Sequence, residues 1–290
     1  MLKLLFDYLF FPGFIFSAIM GCFVFWLDRK LTARIQWRKG PPWYQNFLDL
    51  IKLFSKEIIV PTEAKSTFFI LPFLGLCAAV IVATELGKVL LNPSESFIGD
   101  LIVVLYLLTI PAISLILGAS SCGNPLASVG ASREMKLILG YELPFILSIL
   151  TVIIKANAIK LGEILNHQIG STSYIASLSG VIAFLVSLLC TQAKLGFVPF
   201  DISEAEQEIM AGTLTRAILF YIMPIFLIVL FMGKEISPVF VFLKYIVLIV
   251  LIILLKNTNP RFKIEQAVKF FWGPVTILAI CAVILALLGH

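Results

Sequence analysis

The chain offers acid–base chemistry from 17 carboxylates and two histidines, and the carboxylates sit in unusual places. Glu142 stands near the second turn of an apolar run, directly after Tyr141 and before Pro144. Asp100 opens another apolar run and Glu85 closes a third. The densest set is Asp201, Glu204, Glu206 and Glu208, four acids within eight residues that follow Lys194 closely. Asp201, Glu204 and Glu208 fall at i, i+3 and i+7, one face of a helix. Ser203 precedes Glu206 by three residues, the spacing of a capping box that opens a short helix. An unpartnered carboxylate in hydrocarbon costs at least a few kcal/mol, and acids crowded on one face exchange protons among themselves. The chemistry such residues permit is proton or ion movement. The plainer alternatives are a solvated helix end for the acidic run and a buried partner for Glu142.

Other chemistries lack their residues. Cys22, Cys77, Cys122, Cys190 and Cys281 are scattered singly, without a CxxC, so neither an iron–sulfur motif nor a disulfide framework is visible. His167 and His290 are too few for a metal or haem site. No Ser/His/Asp set, HExxH motif or phosphate-cradling glycine loop occurs. The small-residue stretch GASSCGNPLASVGAS (118–132) lacks the strand and lysine of a phosphate site and is expected to be a close-packed connection.

The elements that position these acids follow from composition. Of 290 residues, 60% are apolar and 13% charged, with a mean hydropathy of +1.04. That is about half the charge of a soluble domain. The chain is therefore expected to be an all-α integral membrane protein, one polytopic domain over 1–290. Stretches of about 20 apolar residues fall near 8–27, 67–86, 99–118, 137–155, 175–193, 214–232, 238–255 and 270–288, which predicts eight transmembrane helices. Connections 28–66, 119–136, 194–216 and 256–269 carry 16 of the 22 Lys and Arg, against five on the other side. The bias puts the long basic loop in the cytoplasm and both termini outside the cell membrane. It also accounts for the net charge of +5, so no nucleic-acid partner is expected beside the lipid bilayer. Within loop 28–66, Phe47, Leu50, Ile51, Phe54 and Ile58 recur at helical spacing between Pro41-Pro42 and Pro61. They predict an amphipathic helix lying on the membrane surface or under a partner.

Four segments together resemble one family. They are DRKLTARIQWRKGPP with NFLDLIKLFSKE after the first span, GASREMKLILGYELP at the fourth, VPFDISEAEQEIMAG after the fifth, and NPRFKIEQAVKFFW before the eighth. Their order and frame resemble the membrane subunit shared by respiratory complex I, its subunit 1, and the energy-converting group 4 nickel–iron hydrogenases, including formate hydrogenlyase-type complexes. Gly40-Pro41-Pro42 and Glu204-Ala-Glu206-Gln-Glu208 lean toward the hydrogenase branch. Complex I chains usually carry Gly-Pro-Asn and Glu-Gly-Glu-Ser-Glu there.

The resemblance implies a subunit with no cofactor of its own. It would anchor a cytoplasmic arm whose large, small and iron–sulfur subunits carry the nickel–iron centre and the iron–sulfur clusters. Antiporter-like membrane subunits would complete the ion path. Glu142, Asp201, Glu204, Glu206, Glu208 and Asp100 are the expected path residues. Arg29, Arg34, Arg38 and Lys39 are the expected docking residues, with Arg34 and Arg38 at i, i+4 forming one face for partner carboxylates. A quinone-site subunit of a complex I-like dehydrogenase is the alternative. One departure stands out: the family commonly has about a dozen further residues after Gly212, whereas Thr213-Leu214-Thr215-Arg216 runs straight into the sixth span. Either this branch has lost the loop or the chain is broken there, and the expectation is a break near Leu214–Thr215.

Overall fold

Long apolar stretches in a chain with few charges can satisfy their backbone in lipid only as helices, and helices are what the computed structural model contains. It describes residues 2–57, 67–201 and 210–289, which include no strand. In chain order the helices are α1 (Leu2–Leu9), α2 (Phe14–Ile35), α3 (Gln45–Phe54), α4 (Thr67–Leu91), α5 (Asp100–Ser120) and α6 (Pro125–Ala156). They continue with α7 (Leu161–Gly170), α8 (Leu178–Lys194), α9 (Met210–Phe231), α10 (Pro238–Thr258), α11 (Ile264–Phe270) and α12 (Thr276–Leu287). A π-helical turn, Phe271–Val275, joins the last two around Pro274. Among the described residues seven stretches are long and apolar enough to cross a membrane: Lys3–Ile35, Ile70–Leu91, Asp100–Ser120, Pro125–Ala156, Thr213–Phe231, Pro238–Thr258 and Ile264–Leu287. The expected span at 175–193 corresponds to α8, which has 17 residues. At about 25 Å, α8 is at the short end of the spanning range. The expected eight are thus seven plus this shorter helix.

α9 is the centre. From Ala217 onward its sequence is apolar around the whole circumference, the mark of a buried helix, and Phe220, Met223, Phe226 and Phe231 are fully buried. α2 approaches it closely at Gly21, where a Cβ would lie 2.7 Å from the Ala217 carbonyl, so only glycine fits. α10, by contrast, turns much of its surface outward. Lys244, the one base expected inside a span, bends to the carbonyls of Met232 and Glu235 at 2.8 and 2.9 Å, beside the end of α9. That placement suits a helix C-terminus.

Several boundaries move. α2 runs eight residues past the expected end at 27, because Asp28 is buried with a partner instead of meeting water. α6 begins at Pro125, with Asn124 accepting from the Leu126 amide at 3.0 Å. Most of the expected small-residue connection is therefore helix: residues 118–120 end α5, and 125–132 open α6 behind an Asn cap and a Pro at the first position. α3 ends at Phe54, short of Pro61; Phe47 and Leu50 pack inward while Ile51 and Phe54 stay exposed, and Ile58 lies outside the described residues. α9 runs unbroken from Met210 to Phe231, so the break expected near Leu214–Thr215 is absent. The short junction is continuous helix.

Candidate ion-coupling site

The ends of α2, α8 and α10 meet the beginnings of α6, α9 and α11 at one end of the bundle, the end that carries the basic loop. α8 stops there in a Schellman turn: the Gly196 amide donates to Ala193 and the Phe197 amide to Gln192, at 3.0 and 3.1 Å. Gly196 takes φ +63, the left-handed conformation that glycine supplies without strain. A Cβ on it would also sit 3.1 Å from Nη2 of Arg216. The following turn is held by Phe200, whose ring lies 4.7 Å from Phe271 and 5.7 Å from Phe262, and by the Phe262 amide donating to the Pro199 carbonyl at 2.9 Å. This turn delivers Asp201.

Among the described residues, four acids and four bases lie at or around this turn. Lys194 Nζ donates to Glu142 Oε1 at 2.9 Å, its side chain 1% exposed against 20% for Glu142. The ammonium also lies 4.7 Å from the ring centre of Phe145. Lys256 Nζ meets Asp28 Oδ2 at 2.7 Å, with the Asp28 carboxyl 3% exposed and the ammonium 4.6 Å from the Phe197 ring. Arg261 pairs with Asp201 at 3.2 Å. Arg216, from α9, lies within electrostatic reach of both Glu134 and Asp201. Glu134 is about 12 Å up α6 from Glu142 and is buried. Charges removed from water survive only when paired. The layer pairs elements that are far apart in sequence: the middle of α6 with the end of α8, α2 with α10, and the Asp201 turn with the α10–α11 connection.

The expected residues divide. Glu142 and Asp201 are both in this layer. Asp100 opens α5 at the other end of the bundle, where its Oδ1 accepts from the amides of Leu101 and Leu161 at 2.7 and 2.9 Å. It ties the first turns of α5 and α7 together. Glu85 is at that end too, accepting from Tyr8 Oη at 2.7 Å. Glu204, Glu206 and Glu208, with Ser203, lie outside the described residues. Arg29 turns inward to α3, its Nη1 2.7 Å from Asn46 Oδ1 and 3.2 Å from Asp49 Oδ2. Arg34, Arg38 and Lys39 are exposed. The expected single helical face of Arg34 and Arg38 is not formed, because α2 ends at Ile35 in a second Schellman turn. There Trp37 donates to Arg34, and Arg38 to Ala33, at 3.1 and 2.7 Å, with Trp37 in the left-handed region at φ +58. Trp37 is 98% exposed.

Sequence reasoning missed Glu134, Asp28 and the pairing of Lys194, Arg216, Lys256 and Arg261, which counted only toward topology. A signal existed: each of these acids adjoins an apolar span, where a lone charge demands a partner.

Two further features bear on the chemistry. A cavity of about 180 Å³ between α2, α3 and α9 is lined by Cys22, Phe25, Arg29, Asn46, Leu50 and Leu214 among others. Among the described residues, no three His, Cys, Asp or Glu side chains come together to hold a metal ion.

The chain matches known proteins along most of its length. The family model described as NADH dehydrogenase matches residues 9–287. Hydrogenase-4 component C of Escherichia coli is 31% identical over 190 residues, which cover 66% of this chain and 60% of that protein. An NADH-quinone oxidoreductase subunit of Dehalococcoides mccartyi is 31% identical over 288 residues, 90% of this chain and 79% of that protein. An F(420)H(2) dehydrogenase subunit of Methanosarcina barkeri is 29% identical over 311 residues, covering 92% and 88%. Among solved structures, a chain of the membrane-bound sulfane sulfur reductase, an archaeal respiratory membrane complex, superposes with a TM-score of 0.84 at 27% identity. That match covers 94% of this chain and 96% of the other.

Proposed function

We propose, for a chain that belongs to the NADH dehydrogenase family of membrane subunits, that it is the non-redox anchor and ion-coupling subunit of an energy-converting hydrogenase complex. Family and fold make it a multi-pass membrane subunit of a complex I-like respiratory oxidoreductase. The finer reading places a cytoplasmic arm, with its nickel–iron and iron–sulfur subunits, over the basic loop. Antiporter-like subunits beside the chain carry H⁺ or Na⁺, and both chain termini lie outside.

The observation that supports this reading is the paired layer beneath the Asp201 turn. In its Glu142–Lys194 pair, Lys194 lies two residues before Gly196, whose turn leads on to Asp201. A change of charge in the arm would alter the partners of Asp201 and Arg216, and the layer would pass the change to Glu142. Glu142→Gln keeps an acceptor for Lys194, so electron transfer to an artificial acceptor is expected to stay within about twofold. Ion pumping in inverted vesicles should fall at least about tenfold, the scale of a lost acid–base group. Unchanged pumping would leave Glu142 as no more than a tether for Lys194.

Docking has its own test. Replacing Arg34 and Arg38 together with Glu reverses two exposed charges and is expected to weaken retention of the arm on washed membranes by about tenfold or more. The chain itself should still insert. An arm that stays bound and active would remove these residues from the interface.

A further inference from the structure

A second, larger cavity lies on the outside of the bundle between α6 and α11, and none of its lining residues belongs to the paired layer. Its volume is about 410 Å³, and Lys136, Leu139, Glu265, Val268, Lys269 and Trp272 line it. Lys136 and Lys269 come from opposite walls, and each stands at the membrane boundary read from the sequence. Neither lysine makes a hydrogen bond or ion pair among the described residues, although Glu265 shares the cavity. Two ammonium groups against one carboxylate leave the cavity with an excess of positive charge. The Trp272 indole is 62% exposed and fixed to α6 by a hydrogen bond from Nε1 to the Leu139 carbonyl at 3.2 Å. Below Lys136 the outer face of α6 continues as Leu139, Leu143, Ile146 and Leu150, with exposures of 63, 48, 50 and 38%. These follow one another at three or four residues, a continuous aliphatic track down one side of the helix.

We infer that this cleft is a binding site for one anionic phospholipid. The phosphodiester lies between Lys136 and Lys269, the glycerol region against Trp272, and an acyl chain along the α6 track. Each part matches a separate requirement of a lipid. Two ammonium groups at the basic end of the bundle match a phosphate, Trp is favoured at headgroup level, and the apolar track begins where the charges stop. Basic pockets between transmembrane helices on this side select anionic headgroups, on the scale of a several-fold gain per lysine. Glu265 at the rim repels a second negative charge, which favours a singly charged diester such as phosphatidylglycerol over a phosphomonoester.

The test uses the intact complex, reconstituted into vesicles of equal phosphatidylglycerol and phosphatidylcholine and released for native mass spectrometry. One phosphatidylglycerol should be retained per copy of this chain, with a preference over phosphatidylcholine on the order of tenfold or more. K136Q/K269Q should bring the preference to within about twofold, and K136R/K269R should keep it. K263Q, a lysine on the same connection that does not line the cleft, should leave it unchanged. Three results would overturn the inference. One is unchanged selectivity in K136Q/K269Q. Another is loss of a partner subunit from that variant with lipid retention intact, which would make the cleft a protein contact. The third is full displacement of the lipid by inorganic phosphate, which would show a bare anion site without an acyl track.

Discussion

Lys194→Met is expected to destabilise the purified complex and stop ion pumping together. The substitution preserves the stem of the side chain against Phe145 and removes only the charge, which leaves the Glu142 carboxylate without its 2.9 Å partner. Breaking a buried pair on one side costs about 3–5 kcal/mol, and Glu142, one-fifth exposed, belongs at the lower end. For a chain of this size that is a fall in Tm on the order of 5–10 °C. The double variant E142Q/K194M separates the two roles of the pair. Removing both charges should restore most of the Tm, because neither partner is left uncompensated. Pumping should stay lost, because no titrating group remains. A double variant that pumps normally would make the pair a structural tie between α6 and α8.

Lys256→Met should produce the second large effect, on stability alone. Its partner Asp28 is 2% exposed as a residue and has no route to water comparable with that of Glu142. The pair at 2.7 Å joins α2 to α10 across 228 positions of sequence. Beyond it the nearest aid is weak: Thr32 Oγ1 reaches Asp28 Oδ1 at 3.4 Å. The isolated carboxylate therefore costs about 3–5 kcal/mol, read as a lower temperature of aggregation in detergent. Asp28→Leu added to Lys256→Met should recover most of the loss, since a buried pair replaced by apolar side chains is often neutral. A silent Lys256→Met would show that Asp28 reaches water after all.

These two pairs also mark where the sequence stopped being legible. The helical membrane architecture follows from hydropathy, because lipid leaves the backbone no alternative, and the positions of Glu142 and Asp201 beside apolar spans were visible as anomalies. Their partners were not. Asp28 looks locally like the polar end of a span, and only a base 228 residues away makes it buried helix interior. Lys194 and Arg216 read as loop cations by proximity to span ends, whereas packing turns both inward. The spacing of Arg34 and Arg38 implied one helical face, and nothing local announced that Trp37 would take a left-handed turn between them. The short junction after Gly212 was misjudged for a different reason: spacing in relatives says nothing about whether a helix can simply continue.

The Trp37 turn carries a quantity that the contacts around it do not. At the α8 end the same hydrogen-bonding pattern is built on Gly196, for which the left-handed backbone is free of strain. At the α2 end it is built on a tryptophan, for which it costs about 1–2 kcal/mol. The side chain recovers none of this inside the subunit, being 98% exposed. Two turns of identical geometry in one molecule thus differ by the penalty of a single dihedral. On the docking reading the subunit keeps the indole at that cost to its own folding, and a partner resting on it gains the aromatic contact without relieving the dihedral.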